Sequence, residues 1–160
     1  MSTQTPERAT AGQSTQAEAK LGPSKLFTVV AILAFVVGGV SALGGLGGIV
    51  YTYQQAAVEN ITTPGDAAIA EAPVRGPLTM WAQSDIITEH QLDRTDGQRY
   101  AEMDREDPDR MSWIDATALT TVLGLGIISY AFSAFAIAVG IVLIGMGLVV
   151  LKLRRSPAAL

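Results

Sequence analysis

Two long runs without a charged side chain constrain this chain more than any other feature of it. The first extends from Leu26 to Tyr53 and the second from Ala116 to Leu151. A helix crossing the hydrocarbon core of a bilayer needs about 20 apolar residues, each adding about 1.5 Å. Both runs exceed that length. The surface helix of a soluble protein keeps a polar face, whereas these runs are apolar on every side. The expected fold is therefore an all-α membrane protein, with two transmembrane helices forming a hairpin and an extracytoplasmic loop containing short helical segments.

The expected boundaries follow from composition. Residues 1–24 are a disordered cytoplasmic tail, rich in Ser, Thr, Gln and Ala and too poor in apolar surface to offset the entropy of ordering. Residues 25–53 are the first span, 54–115 the loop, 116–151 the second span and 152–160 a second cytoplasmic tail. Fully helical, the second run would reach about 54 Å against a core of about 30 Å. It is therefore expected to start in water near Ser112 or Asp115, with about 122–151 embedded in lipid. Trp113 and Tyr130, like Tyr51 and Tyr53 at the end of the first run, fall where an interfacial aromatic belt is expected. A cleaved signal peptide has an apolar region of about 7–15 residues. The first run is longer and follows a polar segment, so an uncleaved anchor is the reading, with cleavage near Gln54-Gln55-Ala56-Ala57 as the alternative.

The charge distribution adds orientation. Between Gln54 and Asp115 there are 13 acidic and 5 basic residues, so the loop carries −8, while the tails hold 6 basic and 2 acidic residues, or +4. An acidic loop argues against nucleic acid and against adhesion to anionic lipid by that loop. Lys20, Lys25, Lys152, Arg154 and Arg155 flank the outer ends of the runs, against Arg105 and Arg110 near their inner ends. The excess of basic residues places both termini in the cytoplasm and the loop outside. There is no cysteine, which rules out disulfides and thiolate metal sites.

Within the loop, Ile61-Thr62-Thr63-Pro64-Gly65 reads as a turn. From Leu78 to Leu92 a short helix is expected, with Thr79 as its N-cap and Leu78, Trp81, Ala82, Ile86 and His90 at spacings of three and four. Thr95-Asp96-Gly97 supplies a further turn. Asp107-Pro108 is expected to bar a helix from continuing unbent through the charged stretch Asp104–Arg110.

The runs carry small residues at helix-packing spacing. Lipid is as apolar as leucine, so membrane helices associate by close approach, which glycine permits. Ser41/Gly45 and Gly44/Gly48 are such pairs on the first run, and Ser129/Ser133, Ala134/Ala138 and Ala136/Gly140 on the second. They are read as packing faces, internal or for a foreign helix. Neither run contains Asp, Glu, Lys, Arg or His, which counts against a pump or channel acting alone. His90 is the only histidine. Beside Asp85, Glu89 and Asp93 it makes a poor metal site, and no haem-attachment sequence is present. The charged stretch lacks the calcium-loop spacing, and nothing suggests a pocket that would separate two carboxylate pKa values. No catalytic, cofactor or metal residue is assigned.

The loop segment MWAQSDIITEHQLDRTDGQRYAEMDREDPDR, residues 80–110 between two apolar spans, resembles a group of small two-span proteins of Gram-positive high-GC bacteria. Many of these are labelled aromatic ring-opening dioxygenases. That chemistry requires a non-haem iron site, commonly two His and a carboxylate, which one histidine cannot supply. The group is similar to the respiratory supercomplex association factor, a small accessory subunit of the actinobacterial cytochrome bcc–aa3 supercomplex. The resemblance covers about thirty loop residues and the two-span layout, and the tails do not share it. It implies a plasma-membrane protein packed beside cytochrome bcc and cytochrome aa3 oxidase subunits and lipid, with no redox centre of its own. Buried aromatics usually carry interface energy, so Trp81, Ile86, Tyr100 and Trp113 are the expected docking residues of the loop. A free-standing sensor whose loop binds cations, and a catalytic subunit completed by partner residues, are the rival readings.

Overall fold

The uncharged run folds as one continuous helix, α1 (Pro23–Val58), and the second lies within a longer one, α3 (Asp109–Arg155); α2 (Pro77–Arg94) stands between them. The computed structural model describes residues 23–155. Most of the two expected tails therefore lies outside the described residues. Among those described, the only β pairing is an isolated antiparallel bridge between Thr62 and Pro73.

Two helix boundaries differ from expectation. α1 continues past Tyr53 to Val58, because Gln54, Gln55, Ala56 and Ala57 all favour a helix once one is nucleated. α3 begins at Asp109, ahead of Ser112. The Asp107 carboxylate accepts the Asp109 N–H at 2.8 Å, satisfying one of the donors that a first turn leaves unpaired. No helix runs through Asp107-Pro108, as expected; the pair stands immediately ahead of α3 and caps its start. α3 is 47 residues long, about 70 Å at helical rise. It passes from the charged loop through the whole apolar run without interruption.

α1 and α3 are each long and apolar enough to cross a membrane, and little of either is covered by the rest of the chain. They pack side by side in opposite directions. The Phe35 ring lies over Gly147, Gly38 meets Gly140, Gly45 meets Ser133 and Ile137, and the Thr52 and Ser129 hydroxyls share a hydrogen bond of 2.7 Å. α2 then packs back along the N-terminal part of α3. Met80 lies against Gly126 near its start, and the Gln91 amide donates to the Ser112 hydroxyl at 2.6 Å near its end.

The α2 helix is close to the expected span, but its cap and buried face are not those expected. Gly76 is the N-cap. Thr79 lies inside the first turn, where its hydroxyl accepts from the Gly76 and Arg75 N–H groups, each at 3.2 Å. Met80, Ala82, Ile86 and Gln91 are buried, whereas Leu78 and Trp81 are exposed. At its other end the Gly97 N–H returns to the Leu92 carbonyl at 2.8 Å. Asp96 and Gly97 are both left-handed, with φ of 50° and 81°, the conformation that commonly closes a helix.

Between α1 and α2 the chain is knotted around Thr63, which is 2% exposed. Its hydroxyl donates to the Ile69 carbonyl at 2.5 Å and accepts from the Ala72 N–H at 2.9 Å. The Thr63 N–H donates to the Ala72 carbonyl at 3.0 Å, and the Val74 N–H to the Ile61 carbonyl at 2.9 Å. A small core of Val74, Met80, Ala82, Ile86, Met103, Trp113 and Ala116 holds the loop, α2 and the start of α3 together.

Candidate functional site

The small residues sort into two sets according to what lies beside them. On α1, Ala31, Gly38 and Gly45 are buried at intervals of seven, and Thr52 continues the series through its bond to Ser129. On α3, Ser133, Gly140 and Gly147 are buried at the same interval, and Gly126, under Met80, extends it. Seven residues are two turns at 3.5 per turn, the repeat of a left-handed helix pair that keeps one seam facing its partner. The backbones touch along that seam. A Cβ on Gly38 would lie 2.8 Å from the Gly140 carbonyl oxygen, one on Gly45 2.5 Å from that of Ser133, and one on Gly140 2.7 Å from the Ala42 nitrogen. Only glycine fits where backbone meets backbone so closely.

Of the residues expected to pack, Gly45, Ser133 and Gly140 are buried in this seam. Gly48 faces the Ser133 hydroxyl, and Ser129 contributes its bond to Thr52. Ser41 and Ala136 are half-buried, while Ala134 and Ala138 are exposed. Gly44 is not part of the seam: it has open space beside it, as do Gly39 and Gly47. The pairing of Gly44 with Gly48 on one face therefore splits, Gly48 turning inward and Gly44 outward. Sequence reading followed the four-residue spacing. The seven-residue series of Ala31, Gly38 and Gly45 against Ser133, Gly140 and Gly147 was present in the sequence and would have found the seam.

The four expected docking residues also separate. Trp113 is 6% exposed, and its indole N–H donates to the Gln98 carbonyl at 3.0 Å. Ile86 is likewise buried, at 4% exposed. Both side chains are committed to the chain's own packing, which corrects their expected role at a partner surface. Trp81 and Tyr100 are exposed. Tyr100 carries the Arg110 guanidinium 4.0 Å over its ring, and that group donates to the Tyr100 and Met103 carbonyls at 3.1 and 2.7 Å, bracing the 100–110 segment.

His90 turns toward Asp66 of the preceding loop, with its Nε2 2.7 Å from the carboxylate, and not toward Asp85, Glu89 or Asp93. The hydrogen bond to His90, more than any other influence, holds the Asp66 carboxyl below its ordinary value. Both groups are more than half exposed, so the pair is a weak surface tie between the Thr63 knot and α2. Among the described residues no three His, Asp or Glu side chains converge on a common point. An apolar pocket between α1, the knot and α3 is lined by Thr52, Gln55, Val74, Met80 and Val122, with Glu59 its one titratable residue. That lining offers a binding surface and no acid–base pair.

No family model, curated protein or solved structure matches this chain.

Proposed function

We propose that this chain is a two-span membrane protein acting as a non-catalytic accessory subunit of a larger membrane complex. In this reading α1 and α3 form a transmembrane hairpin, both termini are cytoplasmic, and the loop 54–115, which carries α2, stands outside. The complex implied by the resemblance of residues 80–110 is the actinobacterial cytochrome bcc–aa3 supercomplex, in which the subunit would serve assembly or stabilisation.

The observation that carries the reading is the second set of glycines. Gly38, Gly45 and Gly140 are consumed by the internal seam, yet Gly39, Gly44 and Gly47 stand open on α1. Glycine costs about 1 kcal/mol in a helix relative to alanine, and close approach of a foreign helix is the use that membrane packing makes of it. Tyr100, exposed near the start of α3, and the exposed acidic residues of the loop offer a second surface, far along the molecule from those glycines.

The test is gentle detergent extraction, native electrophoresis and mass spectrometry of whatever migrates with the chain. Cytochrome subunits are expected to co-migrate with the native protein. The double variant Gly44→Leu with Gly47→Leu is expected to lose them while remaining folded. Recovery of this chain alone, or unchanged co-migration of the double variant, would overturn the proposal.

A further inference from the structure

The contacts between elements set a common height for residues far apart in sequence. The Thr52–Ser129 hydrogen bond joins α1 to α3 near the end of their seam. Tyr130, the next residue of α3, donates its hydroxyl to the Arg75 carbonyl at 2.5 Å. One turn toward the loop, Met80 rests on Gly126. The start of α2 is thereby held at the level of Tyr51 and Tyr53. From there α2 climbs along α3 until Gln91 meets Ser112, about 20 Å farther along that helix.

We propose that the start of α2 is a lipid anchor, in which Leu78 and Trp81 enter the headgroup region of the outer leaflet and Arg75 binds a lipid phosphate. The inference rests on the transmembrane reading of α1 and α3. Leu78 is 70% exposed and Trp81 51% exposed, on a helix face turned away from the buried Met80, Ala82 and Ile86. Water gives no reason to display these two side chains, whereas tryptophan is enriched at the membrane interface because its ring is apolar and its N–H polar. The same face continues, at four-residue steps from Trp81, with Asp85 and Glu89. It changes from apolar to acidic as the helix rises away from the level of the tyrosines.

Arg75 supplies the charge complementarity. It is the only basic residue between Lys25 and Arg94, and from Ala72 to Ser84 it carries the only charge. The segment leading into α2 is thus cationic within a strongly acidic loop. The Arg75 guanidinium lies 6.0 Å from the centre of the Tyr53 ring, and its Nη1 donates to the Tyr53 hydroxyl at 3.5 Å. Among the described residues no carboxylate lies within ion-pair distance of Arg75. A guanidinium presents paired donors to phosphate, and its long stem lets the head seek the headgroup layer while the stem lies on apolar surface.

The lack of native cysteine allows a direct test on the full chain. Single variants Leu78→Cys, Trp81→Cys, Glu89→Cys and Phe132→Cys are spin-labelled in vesicles of equal parts phosphatidylcholine and phosphatidylglycerol. Depth is read from the ratio of collisions with oxygen to collisions with a water-soluble nickel chelate. The Phe132 label is expected deep, and those at 78 and 81 are expected several-fold higher in this ratio than the one at 89. Adding Arg75→Gln is expected to shift the Leu78 label toward the value at 89. Labels at 78 and 81 indistinguishable from 89, with 132 deep, would overturn the anchor and leave the spans intact. An unchanged Leu78 depth in Arg75→Gln would overturn the phosphate contact, and a water-exposed label at 132 would defeat the transmembrane reading together with the anchor.

Discussion

A Cβ on Gly45 would stand 2.5 Å from the Ser133 carbonyl oxygen and 2.7 Å from the Ile137 side chain. Ile137 can rotate, but the carbonyl is fixed by its helix, so a larger residue must push α1 and α3 apart. Overpacking of this kind costs roughly 1–3 kcal/mol. Gly45→Leu is expected to lower the unfolding midpoint of the isolated chain in mild detergent, while Gly39→Leu, which meets open space, leaves it unchanged. Equal midpoints for the two variants would show that the seam does not bear on stability. The contrast also marks what single residues disclose in sequence. A glycine reads as small and permissive, and nothing in the letter distinguishes Gly45, against a backbone, from Gly44 one residue earlier, against nothing. Trp113 and Trp81 pose the same problem with large residues. Both read as aromatic anchors, and only the packing of α2 on α3 decides that one is core and the other surface.

The elements were legible to different degrees for physical reasons. The apolar runs could be read directly, because a helix without charged residues on any face has few alternatives outside lipid. α2 was found from its three-and-four spacing, yet its buried face is rotated from the apolar one: Gln91 is covered and Leu78 is not. The segment at Thr63-Pro64-Gly65 reads as a turn, but the closing of 61–74 around Thr63 gave no signal, since its hydrogen bonds join backbone groups and one small hydroxyl, and neither is periodic. That knot is tied to α2 by the Asp66–His90 contact, which makes a pH prediction at this scale. The Asp66 carboxyl is depressed in the folded chain, first by its hydrogen bond to His90. A depressed carboxylate contributes stability that is present above its ordinary titration range and lost as pH falls through the lowered value. Nuclear magnetic resonance in micelles is expected to show the amides of 64–71 shifting in that acid range, with a midpoint below that of an unperturbed aspartate. Asp66→Asn is expected to abolish the transition, and a normal aspartate midpoint would refute the tie. The pair is exposed, so the rest of the fold should not respond.

Across the whole molecule, α3 is the shared spine. Gly126, Ser133, Gly140 and Gly147 lie on one seven-residue series, and Leu123, Tyr130, Ile137 and Ile144 form the companion series beside it. Contacts to the loop assembly use the upper members, through Met80 on Gly126 and Arg75 on Tyr130, and contacts to α1 use the lower ones. A single helical face therefore fixes the loop assembly relative to the α1–α3 pair, and the continuity of α3 between them transmits that register. Inserting one alanine between Gly124 and Leu125 turns everything above it by about 100° and raises it by about 1.5 Å. Ala116 and Ser112 would no longer point where α2 lies if Arg75 and Met80 kept their places. The insertion is expected to leave the α1–α3 seam intact and to raise hydrogen exchange throughout 77–94. The same insertion after Leu153, beyond the last seam residue, is expected to leave exchange in 77–94 as it was. Equal protection of α2 in both variants would mean that the loop assembly is held by its own core and not by the spine, and the height assigned to Leu78 and Trp81 would lose its basis.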